Sequence, residues 1–238
     1  MIVGFSTGAL ALGDFARGLE LLEPTRADAV ELSALRDVEL PKLLEAIPLL
    51  MQRLNTRYRY VSFHAPTNFT DERSTVAKLA TVADRGLNVI VHPDTMRELS
   101  LWQRLGKRLC IENLDSRRPT GRTAQELRKF FVELPEARLC LDIAHARQVD
   151  STMTVAADIL TEFGDRLAQA HLSELNSRGK HFAMSYAAKR AYELFAAPLA
   201  RVPVILESVV TEGAIAEEIS EVEKILSHQP RFTPAGFS

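Results

Sequence analysis

Six short apolar runs of this 238-residue chain end in a histidine or a carboxylate: 60–64 (YVSFH), 89–92 (VIVH), 109–112 (LCIE), 139–142 (LCLD), 167–171 (LAQAH) and 204–207 (VILE). Five of the six histidines, His64, His92, His145, His171 and His181, sit at or just after such run ends, which scattered surface histidines would not do. Imidazole and carboxylate without thiolate suit Mn, Co, Mg, Zn or Fe. Taken singly, a histidine at a strand end is more often a hydrogen-bonded structural residue, and a glutamate a solvated charge. Taken together, six runs aiming such groups at one place would bury like charges against one another unless a cation neutralised them. Glu112, Asp142, His171 and Glu207 would then surround one divalent ion, with His145, three residues after Asp142, as a second ligand or a substrate donor.

The spacing of the runs dictates what positions them. Strand patterns cover 2–5, 29–32, 60–64, 88–92, 109–112, 139–143, 167–172 and 202–207, with segments of helical period between them. Thr70, followed by Asp71 and Glu72, suits a helix N-cap, Gly86 a left-handed stop, and Thr123 to Glu126 a capping box. In the last helix Ile215, Ile219, Val222 and Leu226 form one stripe, with Glu217, Glu218, Glu221 and Lys224 facing away. The strands read as near-continuous apolar runs, as parallel strands covered on both faces require. Eight such units without an intervening linker predict an α/β chain closed into a single (β/α)8 barrel over 1–238, with an irregular tail from about residue 229. An open doubly wound sheet is the alternative, but Phe5-Ser-Thr-Gly-Ala-Leu holds one glycine where that fold carries a glycine-rich phosphate loop. In such barrels the site lies at the C-terminal ends of the strands, where the polar run ends fall.

Composition excludes several classes. A net charge of −2 gives no basic excess of the sort nucleic-acid binders use, so a large nucleic-acid partner is disfavoured. Cys110 and Cys140 are too few and too isolated for a disulfide framework. Residues 1–5 lack a basic region ahead of a long apolar stretch, and no run approaches the ~18 apolar residues of a membrane span. A cytoplasmic protein without a membrane partner is expected.

The motifs Phe63-His64-Ala65-Pro66, Val91-His92-Pro93, Ile111-Glu112-Asn113, Leu141-Asp142-Ile143-Ala144-His145, Ala170-His171-Leu172 and Leu206-Glu207 follow one another in order. In these the chain resembles the xylose-isomerase-like TIM barrel superfamily, which contains sugar isomerases and epimerases and the endonuclease IV branch (AP endonuclease family 2) of DNA repair. The resemblance implies, for the epimerase branch, metal ligation by Glu112, Asp142, His171 and Glu207. It also implies acid and base roles for Glu112 and Glu207, and substrate binding by His145. For the endonuclease branch it implies a three-zinc set at His64, His92, Glu112, Asp142, His145, His171, His181 and Glu207. The ninth ligand of that branch is an aspartate where this chain has Gly179, and the loop 65–69 offers no match to its tyrosine.

The expected activity is therefore that of a divalent-metal (Mn, Co, Mg or Zn) isomerase or epimerase. It would move a proton next to the carbonyl of a small polyhydroxy substrate, phosphorylated or not, through a metal-stabilised enediolate. His64, His92, His145, His181, Arg178, Lys180 and Glu31 are the candidate substrate contacts, with Glu31 at the barrel mouth open equally to supporting a metal ligand or to a structural salt bridge. The alternatives are a zinc phosphodiesterase acting at abasic sites and a barrel that binds a metal or ligand without catalysis. Arg117 and Arg118 read as a solvated pair, and Trp102 is open to packing or substrate stacking.

Overall fold

The computed structural model describes residues 1–227; the tail expected from about residue 229 lies outside them. Eight parallel strands close a barrel: β1 (Val3–Ser6), β2 (Ala29–Ser33), β3 (Tyr60–His64), β4 (Asn88–Val91), β5 (Leu109–Glu112), β6 (Arg138–Asp142), β7 (Leu167–Leu172) and β10 (Val204–Leu206). Each pairs with its neighbours in chain order, and β10 closes on β1 through Val3↔Val204 and Phe5↔Leu206. Between β7 and β10, β8 (Glu174–Leu175) and β9 (His181–Phe182) form a small antiparallel hairpin that the sequence did not announce.

The barrel strands are not the uniformly apolar runs expected from sequence; they alternate. Side chains on successive residues point to opposite faces. Phe5, Leu32, Phe63, Val89, Val91, Ile111, Leu139, Leu141 and Leu206 belong to one apolar cluster with helix residues such as Leu43, Leu79, Leu127 and Val222. The intervening positions include Glu31, Ser62, His64, Glu112, Asp142, Gln169 and His171, all buried. A separate apolar cluster holds only Ile90, Cys110, Cys140 and Ala168. The core that stabilises the barrel thus lies between strands and helices, where apolar area leaves water.

Local ends explain the lengths of several helices. Helix Glu72–Ala83 is capped by Asp71 rather than Thr70, because the Asp71 carboxylate accepts from Ser74 N at 3.0 Å, and Gly86 ends the turn at φ 89°. Thr123 caps helix Ala124–Glu133, accepting from Glu126 N at 3.3 Å. The Glu126 carboxylate, however, reaches one residue further back and accepts from Arg122 N at 2.8 Å, so the capping box is only half made. In helix Ile215–Leu226, Ile215, Ile219, Val222 and Leu226 are buried as expected, but so is Glu218. Its carboxylate accepts from Ser208 Oγ at 2.7 Å and Met184 N at 3.1 Å, tying the helix to the segment after β10. Trp102 is fully buried and donates Nε1–H to Glu72 at 2.7 Å, which makes it a packing residue. Among the described residues no helix is long and apolar enough to cross a membrane.

Candidate metal centre

Strand register brings the ligand candidates together. A register shift between Leu139 and Cys140 sets Asp142 directly beside His171, and Ile205 pairs with His171, so Glu207 follows two residues on. Asn113 ties the ends of β5 and β6: its Nδ2 donates to Asp142 O and its Oδ1 accepts from Asp142 N, both at 2.8 Å. One ligand atom from each of Glu112, Asp142, His171 and Glu207 lies within 4.8 Å of the other three. Three of these residues present buried polar atoms with no hydrogen-bond partner: Glu112 Oε1, Asp142 Oδ2 and His171 Nδ1. His171 Nδ1 stands 3.5 Å from both Glu112 Oε1 and Glu207 Oε1. Buried carboxylates and imidazoles without partners are costly unless something binds them. A divalent cation with oxygen and nitrogen ligands fits this set.

A second cluster shares Glu112. His64 donates Nδ1–H to Ala65 O at 2.9 Å, which leaves Nε2 facing Glu112 Oε2 at 3.1 Å, and His92 Nε2 is 3.4 Å from the same oxygen. His145 is held differently. Its backbone N–H donates to Asp142 Oδ1 at 2.7 Å and its Nδ1–H to Asn113 O at 2.9 Å, so Nε2, 4.0 Å from Asp115 Oδ2, is the nitrogen left for a substrate. His181 Nδ1 lies 2.8 Å from Ser173 Oγ and 3.7 Å from Glu207 Oε2.

The electrostatics follow from burial and proximity. Burial pushes the Glu207 carboxyl up to about 7, against the pull of His171. Burial would lower the His64 and His145 imidazoles, but Glu112 and Asp142 carry them to about 9 and about 10. Burial also raises Glu112, yet the surrounding imidazoles, His92 and His171 foremost, hold it well below the usual carboxylate range. His181 is depressed to about 3 by burial and by the charge on His145.

Above these groups opens a cleft of about 490 Å³. Its floor includes Glu112, Glu207, His64, His92, His145 and His181. One wall is apolar, with Leu10, Leu12, Leu35 and Val209; the other holds Asp115, Arg117 and Arg118. Arg117 grips Asp115 through Nε and Nη2 at 2.8 Å each and donates to Arg178 O at 2.6 Å. Burial alone would raise Asp115, but the Arg117 guanidinium holds it at about 2. Arg118 pairs with Asp94 at 3.2 Å. The two arginines read from sequence as a solvated pair therefore face the cleft, whereas Arg178 and Lys180 are exposed and line no part of it. Glu31, expected among the substrate contacts, is fully buried in β2 below the cleft and accepts from Ser62 Oγ at 3.0 Å and Gln169 Nε2 at 2.6 Å. Asp115, Ser173 and Gln169 escaped the sequence reading, and Asn113 entered it only as part of the motif at Glu112. For Asn113 and Asp115 the available signal was their place one and three residues past Glu112, at the same strand end.

No family model matches the sequence, and no curated protein matches it. Solved structures do. A xylose isomerase domain protein from Alicyclobacillus acidocaldarius superposes with a TM-score of 0.66 at 14% identity, over 95% of this chain and 98% of that one. SacUVDE superposes with a TM-score of 0.58 at 14% identity, over 94% and 99%. D-psicose 3-epimerase from Clostridium cellulolyticum H10, solved with D-tagatose, superposes at 0.55 and 14% identity, over 95% and 94%. The chain has the xylose isomerase-like TIM barrel fold that its motifs suggested, and at these identities the likeness speaks for the fold alone.

Proposed function

We propose that the protein is a divalent-metal isomerase or epimerase acting on a small polyhydroxy carbonyl compound. The observation that carries this is the convergence of Glu112, Asp142, His171 and Glu207, with three unpartnered buried ligand atoms, just beneath an open cleft that Glu112 and Glu207 line. Mn, Co, Mg or Zn held there would supply Lewis acidity to the substrate carbonyl and its neighbouring hydroxyl. The chain's own residues do the rest. Glu207, at the cleft floor, is the carboxylate placed to take a proton from carbon, and Glu112 is the second carboxylate available to return one. These two rise from strands separated around the barrel by β6 and β7. His145 Nε2, His64, His92 and His181 are the substrate-facing imidazoles, and the apolar wall shields the reacting carbon from water. If the substrate is phosphorylated, Arg117 and Arg118 are the cations placed to meet it.

Solvent-deuterium exchange tests the reading. With the manganese-loaded protein in deuterated water, the probes D-tagatose and D-fructose, and a ketose phosphate, should include a compound that gains deuterium next to its carbonyl. Glu207→Gln should lose that exchange by at least the ~100-fold typical of a missing general base.

The His64, His92 and Glu112 cluster favours a second reading, a two-metal phosphodiesterase. Against it stands the Arg117 guanidinium: a Cβ at Gly179 would come within 1.7 Å of Arg117 Nη2, so the place of the endonuclease branch's aspartate is filled by a cation. Zinc-dependent nicking of an abasic duplex, abolished in His92→Ala and His181→Ala, would reverse the ranking.

A further inference from the structure

The barrel interior beneath the candidate centre is polar, and one carboxylate in it has no part in the chemistry above. We propose that Glu31 is a positioning residue: it accepts a hydrogen bond from His171 Nε2 and thereby presents a bare His171 Nδ1 to the divalent ion. This rests on the proposed four-residue metal site.

Beyond its bonds to Ser62 and Gln169, the one metal-ligand candidate that Glu31 bonds is His171. It is fully buried, does not line the cleft and cannot touch a substrate. Its Oε2 lies 3.3 Å from His171 Nε2, while the opposite ring nitrogen, Nδ1, faces Glu112 and Glu207. A neutral imidazole that ligates through one nitrogen carries its hydrogen on the other, and that hydrogen needs an acceptor. Beside Nε2 lie Glu31 Oε2 and the amide nitrogen of Gln169, at 2.7 Å; the Cys140 thiol also bonds the ring, but sulfur is a weak acceptor beside a carboxylate. Gln169 is locked as a donor there. Its Oε1 accepts from Tyr60 Oη at 2.7 Å, its Nε2 donates to Glu31 at 2.6 Å, and Tyr60 in turn accepts from Asn88 Nδ2 at 3.0 Å. Turning the amide over would break the Tyr60 bond and set its oxygen against the Glu31 carboxylate. Glu31 is therefore the acceptor that the ligating tautomer requires.

Gln169 also favours the opposite tautomer. When its N–H donates to His171 Nε2, the ring hydrogen sits on Nδ1 and points at the carboxylates of Glu112 and Glu207. With the ring hydrogen on Nε2 instead, Nδ1 would be free for an ion and Glu31 Oε2 would be the oxygen placed to accept from Nε2. Glu31 also adds a fourth negative charge near the cation. A glutamine at position 31 could keep the shape and even accept from Nε2, but not the charge.

Zinc affinity of the full-length chain, measured by competition with a chelator, should fall ~10–100-fold in Glu31→Gln, the usual loss when a ligand's outer partner is changed. In nitrogen-15 spectra, His171 of the zinc-loaded wild type should carry its proton on Nε2, with that signal shifted in Glu31→Gln. A purely structural role would lower the melting temperature of the metal-free variant and leave affinity and tautomer alone. Affinity within twofold of wild type, or a loaded wild type with bare Nε2, overturns the proposal while leaving the metal site standing. If Glu31→Gln does not fold, the wild-type spectra decide. Wild type that fails to bind zinc at these four residues overturns the metal reading itself.

Discussion

On the outer face of the barrel strands, Phe5, Leu32, Phe63, Leu141 and Leu206 are fully buried against helices; on the inner face, Glu31, Ser62, Glu112, Asp142 and His171 are equally buried. The burial is the same, but its free-energy sign is opposite. Apolar area removed from water stabilises by roughly 25 cal/mol per Å². Ionised carboxylates removed from water cost free energy unless paired, and here they are paired with imidazoles and leave atoms unpartnered. The outer layer holds the barrel, and the inner layer is tolerated because of what it can bind.

The largest effect is expected on the outer face. Phe63→Ala should cost ~3–5 kcal/mol in urea unfolding, while zinc affinity of the folded fraction stays at the wild-type value. A matched loss of affinity would show that the two layers are not separable.

Substitution of the inner face should do the reverse. Alanine at Glu112, Asp142, His171 or Glu207 should weaken zinc binding by more than the ~100-fold upper range for outer partners. Asp142→Asn should raise the melting temperature of the metal-free protein, because burial and then Glu112 push the Asp142 carboxyl upward despite His145, and should abolish the shift produced by zinc. Lowered metal-free stability in Asp142→Asn would contradict the cost assigned to this layer.

The last helix offers a smaller comparison of two neighbours. Glu218→Ala should cost ~1–3 kcal/mol, because it orphans Ser208 Oγ and Met184 N. Glu217→Ala, on the exposed side, should fall within about 0.5 kcal/mol of wild type by thermal melting.

pH should move the two layers differently. His64, at about 9, and His145, at about 10, are raised above their unfolded values. Their contribution to stability is complete below about 6.5 and is lost as pH rises through 9 to 10. Glu207 contributes in the same direction, from about 4.5 up through about 7. Glu112, lowered, contributes stability present above the ordinary carboxylate value and lost in acid. The metal-free protein should therefore lose stability on the alkaline side, whereas zinc affinity should rise from pH 5 to 8 as ligands deprotonate, by up to ~10-fold per pH unit for each proton released. A zinc affinity flat over that range would count against Glu207 as a ligand.

Much of the architecture was legible because strand ends and chemistry coincide. The eight strands lie within two residues of their expected bounds, and the run ends 112, 142, 171 and 207 converge as their types suggested. Polar interior positions were harder to see. Glu31 could be aimed at the barrel mouth but given no partner, and Gln169 sits mid-run among apolar residues; that both reach His171 shows only once the barrel closes and brings β2 opposite β7. Arg117 and Arg118 looked like loop charges because nothing local shows that Asp115 and Asp94 bend them over the cleft. The hairpin that brings His181 to Glu207 has strands of two residues each, too short for any periodicity to register. Glu218 was misplaced for a related reason: helical period assigns a face, and cannot foresee a buried hydroxyl and amide waiting on it.

The most direct measurement is an anomalous-difference map from crystals of the wild-type protein loaded with zinc or manganese. A peak is expected ~2.0–2.2 Å from a carboxylate oxygen of each of Glu112, Asp142 and Glu207 and from His171 Nδ1. A map with no peak among these four, or with density only between His64 and His92, would contradict it.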